Sequence, residues 1–273
     1  MKYILLLALC ATAYAASVDG IPLHYTAAGK GPNTVILVHG WTCNSTVWDQ
    51  QIPALAKQYR VLAIDLPGHG LSGSPEDGKL TMDLFARAIE AVRAEAGADN
   101  VVLVGHSMGT PVVIQYARLY PQHTRGLVFV DGAFAMSASR LSSPPDPKQY
   151  EGEQGRERRD KMIHGMFSSA TTPEMQARIL KMMLDTSDAT AGSAMLAMYD
   201  PAIWKHDTST IPILGLYAEH SPAYDRSEAA RFPHFEYHEI PGTGHFLMIE
   251  KPQEFNRLLL GFLANTFAPA ASH

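Results

Sequence analysis

Apolar runs and helical repeats alternate along most of this chain. Short runs of consecutive apolar residues are typical of strands that are buried on both faces of a parallel sheet. Such strands are predicted at residues 34–38, 61–64, 101–104, 127–130, 213–217 and 235–240. Helices are predicted at residues 46–59, 82–96, 108–120 and 252–267. This order predicts an α/β fold in which helices flank a mostly parallel central sheet and right-handed crossovers join the strands.

Two segments depart from this rhythm. Residues 18–25 alternate around an Asp-Gly pair, which predicts an antiparallel hairpin at the edge of the sheet. Residues 134–208 carry helical patterns and no strong strand, so we interpret them as a helical cap inserted into a core formed by residues 16–133 and 209–268.

The cap holds eight of the twelve methionines. Methionine fills irregular gaps in ordinary cores, and it also forms adaptable apolar binding surfaces. The pattern is therefore compatible with simple packing of the cap and with an apolar roof over a pocket. The eight are Met136, Met162, Met166, Met175, Met182, Met183, Met195 and Met198.

The N-terminus has the pattern of a secretory signal. Lys2 precedes an apolar run at residues 3–13, and small residues at positions 13 and 15 suit cleavage after Ala15. We therefore predict a signal peptide over residues 1–15 and export to the periplasm or the extracellular space. The run is too short to span a membrane, and no later segment reaches ~18 consecutive apolar residues, so no stable membrane anchor is expected.

Charge and composition exclude several classes of partner. The chain has 273 residues with 22 Lys and Arg against 27 Asp and Glu, and this mild, dispersed net charge of −5 does not suggest nucleic-acid binding. No phosphate-binding glycine loop, dinucleotide motif or zinc-ligand spacing is present, so neither a cofactor nor a metal is expected. Signal cleavage would leave Cys43 as the single cysteine, without an intrachain disulfide. The number of subunits stays open.

The sequence Gly-His-Ser-Met-Gly at residues 105–109 carries the clearest chemistry. It follows a predicted strand and opens a predicted helix, so it forms a sharp turn with Ser107 at its apex. Such a turn strains the central residue and needs neighbours without bulk, which Gly105 and Gly109 provide. The following helix directs backbone N–H groups toward the serine. Ser107 is therefore the candidate nucleophile.

A serine hydroxyl needs a base, and His245 is the candidate. It follows the last predicted strand and the sequence Gly-Thr-Gly at residues 242–244, and it precedes the final helix. This position brings the imidazole to the same edge of the sheet as Ser107.

The order of Ser107 and His245, together with the sharp turn, resembles the α/β-hydrolase superfamily over residues 18–267. His39-Gly40-Trp41 is similar to the loop that opens the oxyanion hole in that family. The resemblance implies that the backbone N–H groups of Trp41 and Met108 form the hole. Two main-chain donors that converge on one point suit a tetrahedral intermediate.

The acidic partner of His245 departs from the usual pattern of the family. Members most often carry an aspartate after the strand at 213–217, but Ser221 stands at that position here. A hydroxyl has no charge with which to stabilise an imidazolium. Because a variant of the superfamily places the carboxylate one strand earlier, we rank Asp131 first, followed by Glu219 and then Asp225.

These observations predict a secreted serine hydrolase that cleaves carboxylic esters through an acyl-serine intermediate, and its substrate is expected to be a small molecule with a medium-sized apolar acyl or alcohol group. Lactone hydrolysis, amide hydrolysis and cofactor-free lyase chemistry stay open, because a fold does not fix a reaction. Relatives that open epoxides or remove halides attack with an aspartate, whereas Ser107 stands here. Since Ser221 replaces the usual acid, a nearly silent ligand-binding protein is the alternative of a different class.

Overall fold

The computed structural model describes residues 16–268, and a seven-stranded sheet lies at its centre. The strands are β1 (Ser17–Val18), β2 (Ile21–Pro22), β3 (Tyr25–Ala28), β4 (Thr34–Val38), β5 (Arg60–Ile64), β6 (Val101–His106), β7 (Thr124–Val130), β8 (Ile213–Ala218) and β9 (Phe235–Ile240). The helices are α1 (Ile52–Leu55), α2 (Met82–Glu95), α3 (Gly109–Leu119), α4 (Ala138–Leu141), α5 (Gly152–His164), α6 (Pro173–Leu184), α7 (Asp188–Ala197), α8 (Arg226–Ala229), α9 (Leu247–Glu250) and α10 (Pro252–Phe267).

The order of strands in the sheet is β3-β5-β4-β6-β7-β8-β9. β3 runs antiparallel to β5, and all the other neighbours are parallel. Every residue of β4, β6 and β8 is buried, because helices cover both faces of the sheet. The predicted α/β fold with a mostly parallel sheet is confirmed.

The predicted hairpin forms, but its position at the edge of the sheet is wrong. Asp19 and Gly20 have φ angles of 52° and 79° and connect β1 to β2 in a separate two-stranded sheet. Leu23 donates its N–H to the Ala16 carbonyl oxygen at 2.9 Å, which extends the pairing of the two arms of the hairpin. β3, and not the hairpin, therefore forms the edge of the main sheet.

The predicted helix at residues 46–59 is also wrong, because the chain forms two shorter pieces. A 3₁₀ turn at Ser45–Trp48 begins at Asn44, whose side chain accepts the Thr46 N–H. The α1 helix follows, with Pro53 in its first turn. Proline lacks an N–H and its ring clashes with the carbonyl group four residues earlier, so one continuous helix cannot pass through this position.

The segment between β7 and β8 is helical within the described residues. It contains α4 to α7 and two 3₁₀ turns, at Pro147–Tyr150 and Pro201–Ile203. The indole N–H of Trp41 donates to the Ala191 carbonyl oxygen at 2.8 Å, so α7 is attached to the loop after β4. Seven of its eight methionines pack in or against the hydrophobic core, namely Met162, Met166, Met175, Met182, Met183, Met195 and Met198.

Within residues 16–268, no helix is long and apolar enough to cross a membrane. The predicted signal peptide at residues 1–15 lies outside the described residues.

Two glycines allow β6, α3 and β4 to approach closely. A Cβ atom on Gly105 would lie 2.3 Å from the Gly109 carbonyl oxygen, and one on Gly109 would lie 2.6 Å from the Val38 carbonyl oxygen. Both distances are far inside van der Waals contact with backbone atoms that cannot move independently. The two glycines are therefore required by the crossing itself.

We expect Gly105→Ala to lower the free energy of unfolding by about 3 kcal/mol, because the added methyl group overpacks a backbone crossing. Gly261→Ala is the matched control, since a Cβ at this position in α10 meets no atom within 4 Å. It should raise the free energy of unfolding by roughly 0.5–1 kcal/mol through helix propensity. Urea titration measures both, and equal effects of the two substitutions would contradict the role of the crossing.

Candidate active site

Ser107 occupies the sharp turn between β6 and α3. Its φ angle is 52°, a left-handed conformation that side-chain-bearing residues rarely adopt. Its N–H donates to the Val130 carbonyl oxygen at 2.9 Å, so the turn is tied to the end of β7. A Cβ on Gly40 would lie 3.0 Å from the Ser107 Cβ, which means that the loop after β4 borders the serine closely. Ser107 is half-buried at the carboxyl edge of the sheet.

His245 lies in the loop between β9 and α9 and meets Asp131 directly. Its Nδ1 atom is 2.6 Å from the Asp131 Oδ2 atom. The His245 carbonyl oxygen accepts a hydrogen bond of 2.9 Å from the His106 Nε2 atom, and the two imidazole centroids are 4.7 Å apart. The histidine loop therefore packs on the residue that precedes Ser107. Because Nδ1 is engaged by Asp131, Nε2 is the nitrogen left to exchange a proton.

Asp131 immediately follows β7 and is 6% exposed. Its own φ angle is 44°, and its N–H donates to the Leu216 carbonyl oxygen at 2.9 Å. The Oδ1 atom accepts the Ala218 N–H at 3.1 Å. Burial alone would raise the pKa of this carboxyl, but hydrogen bonds from His245, Ser221 and Ala218 outweigh it and hold the pKa below its ordinary value. Asp131 therefore faces His245 as a carboxylate.

The two alternative carboxylates lie in other surroundings. Glu219 is exposed and accepts the Gly242 N–H at 3.0 Å. Asp225 is exposed and caps α8 by accepting the N–H groups of Ser227 and Glu228. Neither makes a hydrogen bond to His245 among the described residues, so the structure brings only the first-ranked carboxylate to the imidazole.

The predicted donors of an oxyanion hole are the backbone N–H groups of Trp41 and Met108. Met108 is the N-cap of α3, where the helix dipole is positive. Trp41 follows Gly40, which contacts the Ser107 turn, and its indole is already bound to Ala191. In the part of the chain that the structure describes, neither backbone N–H has a protein acceptor. Both donors are thus available to a ligand beside Ser107.

The sequence did not predict the contact of His106 with the histidine loop or the effect of Ser221 on Asp131. Burial, with the nearby His245 second, lowers the pKa of His106 to about 3, so this imidazole is neutral. Since a carbonyl oxygen only accepts, the His106 Nε2 atom carries the proton in its bond to His245. Ser221 stands where an acid was expected and instead helps to lower the pKa of the Asp131 carboxyl. No local signal distinguishes these roles, because each partner is distant in sequence.

Cys43 is buried, and burial raises the pKa of its thiol to about 12. It is therefore a neutral packing residue rather than a nucleophile. Within residues 16–268, no group of three or more His, Cys, Asp and Glu side chains is placed to hold a metal ion.

One cavity in the described region lies away from this site. It has a volume of about 560 Å³ and is lined in part by Ile114, Leu127 and Ile213. Ile213 begins β8 and pairs with Leu127 in the middle of β7, whereas Ser107 and Asp131 lie beyond the carboxyl ends of β6 and β7. The convergent polar groups, and not this cavity, mark the candidate site, because a reaction needs such groups.

Comparison with known proteins agrees with the fold. A sequence profile described as "Alpha/beta hydrolase family" matches residues 35–258. The pimeloyl-[acyl-carrier protein] methyl ester esterase of Yersinia enterocolitica is 26% identical over 256 residues, which cover 88% of this chain and 96% of that protein. Bifunctional epoxide hydrolase 2 of Sus scrofa is 24% identical, and the match covers 89% of this chain but 53% of that protein.

A solved structure of a thermophilic esterase from Thermogutta terrifontis has a similar fold. Its TM-score is 0.82 at 24% sequence identity, and the match covers 93% of this chain and 98% of that chain. At this identity the likeness concerns the fold alone.

The lowered pKa of Asp131 makes a testable contribution to stability. A carboxylate of this kind stabilises the fold fully above its unfolded-state pKa of about 3.9, and the contribution is lost as the pH falls through the lower folded-state pKa. The free energy of unfolding should therefore fall more steeply for the wild type than for Asp131→Asn between roughly pH 5 and pH 2. Urea titrations at each pH measure the slopes, and parallel curves would rule out the linkage.

Proposed function

The chain belongs to the alpha/beta hydrolase family, and from that premise we propose that it is a serine hydrolase that cleaves carboxylic esters through an acyl-serine intermediate. The observation that carries the proposal is the 2.6 Å contact between His245 and Asp131, in a loop that packs on the strained Ser107 turn. Hydrolase activity on this fold is further supported by the Yersinia relative, which is named as an esterase.

Each residue has a defined part in the proposed reaction. The His245 Nε2 atom takes the hydroxyl proton as the Ser107 oxygen attacks the ester carbonyl carbon. The carbonyl oxygen becomes an oxyanion, which accepts hydrogen bonds from the N–H groups of Trp41 and Met108. Asp131 stabilises the imidazolium and fixes its orientation.

The intermediate then collapses as the bond from carbon to the alcohol oxygen breaks, and His245 returns its proton to the leaving alcohol. A water molecule attacks the acyl-serine and passes a proton to His245. When the second intermediate collapses, the carboxylic acid leaves and the Ser107 hydroxyl is restored. No step needs a metal, a redox group or a further reactant besides water.

The proposed substrate is a small, apolar ester. Its support is the methionine-rich segment at residues 134–208, whose helix α7 packs on the loop that carries Trp41. The Yersinia relative is named for a methyl ester, which agrees with a small alcohol group. The likeness to an epoxide hydrolase does not extend to a carboxylate nucleophile, because Ser107 occupies the turn.

Replacement of the nucleophile is the primary test. Ser107→Ala should lower the kcat for short-chain aryl esters by roughly 10⁶-fold, because no acyl intermediate can form. A serine-directed phosphonate should label the wild type once, at Ser107, and should leave the variant unlabelled. Undiminished ester hydrolysis by a folded Ser107→Ala variant would end the proposal.

The identity of the acid is tested separately. Asp131→Asn should lower kcat by roughly 10⁴-fold, because the imidazolium loses its counter-charge. Glu219→Gln and Asp225→Asn are the matched controls and should leave kcat unchanged, since neither carboxylate bonds to His245. Steady-state assays with one ester decide this, and a severe loss in a control with full activity of Asp131→Asn would reassign the acid.

A further inference from the structure

Glu250 is a buried carboxylate that the proposed reaction does not use. It ends α9, beyond His245 in the chain, and is 9% exposed. Its Oε2 atom accepts the Gly244 N–H at 2.6 Å and the Ser168 hydroxyl at 3.1 Å, and its Oε1 atom accepts the Thr171 hydroxyl at 2.5 Å. One bond thus reaches the histidine loop, and two reach the inserted helical segment.

The backbone packs tightly along the same seam. The His245 N–H donates to the Met166 carbonyl oxygen at 3.1 Å. A Cβ on Gly244 would lie 2.7 Å from that carbonyl oxygen and 3.0 Å from the Ser168 nitrogen, so no side chain fits between the two segments. The catalytic loop therefore rests directly on residues 166–171, with Glu250 bonded to both.

The two hydroxyls are already oriented toward the carboxylate. Thr171 Oγ1 accepts the Ser168 N–H at 2.9 Å, and Ser168 Oγ accepts the Ala170 N–H at 3.0 Å. Each hydroxyl oxygen accepts one backbone N–H through a lone pair and donates its single proton to Glu250. Hydrogen bonds in such a chain polarise one another and strengthen.

In the described region, hydrogen bonds and not ion pairs stabilise the Glu250 carboxylate. Among the described residues, no Lys, Arg or His forms an ion pair with this carboxylate. A buried charge costs free energy unless hydrogen bonds replace its water, and here three neutral donors do so. An apolar side chain would suffice to fill the space, so the carboxylate is better explained by the bonds that it makes.

We propose that Glu250 is a positioning residue that holds residues 166–171 against the His245 loop. The orientation of the imidazole and the closure of the inserted segment over this side of the site then depend on one carboxylate. The inference about catalysis rests on the proposed function, whereas the holding of the two segments does not.

Glu219 offers a matched control for the test. It accepts the N–H of Gly242 in the same histidine loop, but it is exposed and makes no bond to residues 166–171. Glu250→Ala should lower kcat by about 100-fold with KM little changed, because a small displacement of a catalytic base costs rate rather than binding. Glu250→Gln retains an acceptor and should lose only about tenfold. Glu219→Ala should match the wild type.

Hydrogen exchange followed by mass spectrometry measures the contact between the two segments independently of catalytic activity. In Glu250→Ala, the amides of residues 166–171 and 242–246 should both exchange faster, whereas Glu219→Ala should leave residues 166–171 unchanged. Thr171→Val, which removes one donor without touching the histidine loop, should show the same change as Glu250→Ala in weaker form.

Faster exchange in both segments together with the loss of kcat supports the proposal. A kcat within about twofold of the wild type in folded Glu250→Ala, or faster exchange in one segment alone, overturns it. If the wild type neither hydrolyses esters nor reacts with the phosphonate at Ser107, the proposed function fails, and the exchange data still decide whether Glu250 holds the two segments together.

Discussion

The arrangement of the site depends on the close crossing of three backbone segments, β4, β6 and α3, at two glycines. This crossing forces the chain to turn within one residue, and that residue is Ser107 in a left-handed conformation. The neighbouring strand ends in the same way, since Asp131 also has a positive φ angle. Each such residue costs about 1–3 kcal/mol and persists only when the surrounding structure determines it.

The two strained turns support each other. The Ser107 N–H bonds to the Val130 carbonyl oxygen, one residue before Asp131. A Cβ on Gly132 would lie 2.6 Å from the Ser107 carbonyl oxygen, so the second turn is pressed against the first. Parallel pairing of β6 with β7 fixes both ends in register. The proposed nucleophile and the proposed acid are therefore positioned by the ends of two paired strands, and His245 has only to reach this preformed pair.

The features that could be predicted from the sequence are those with local causes. The strands were found because consecutive burial on both faces leaves an unbroken apolar run, and Ser107 was found because the turn needs glycine on both sides. The apolar spacing predicts one helix at residues 46–59. This prediction is wrong because Pro53 interrupts the helix. The acid stayed open among three carboxylates, since the choice rests on a contact between residues 114 positions apart. Glu250 was missed for the same reason, because its hydroxyl partners lie 79 and 82 positions away.

The electrostatics of the site depend on a neutral His106 beside His245. In the proposed reaction, His245 takes the serine proton and becomes a cation whose ring centroid is 4.7 Å from that of His106. Two imidazolium rings at this distance would repel each other strongly, because the interior screens charge poorly. Burial holds His106 neutral at any pH at which the serine reaction could run. Asp131 then supplies the negative charge in direct contact with His245, and the neutral His106 can support the loop through its carbonyl bond without opposing the charge that catalysis creates.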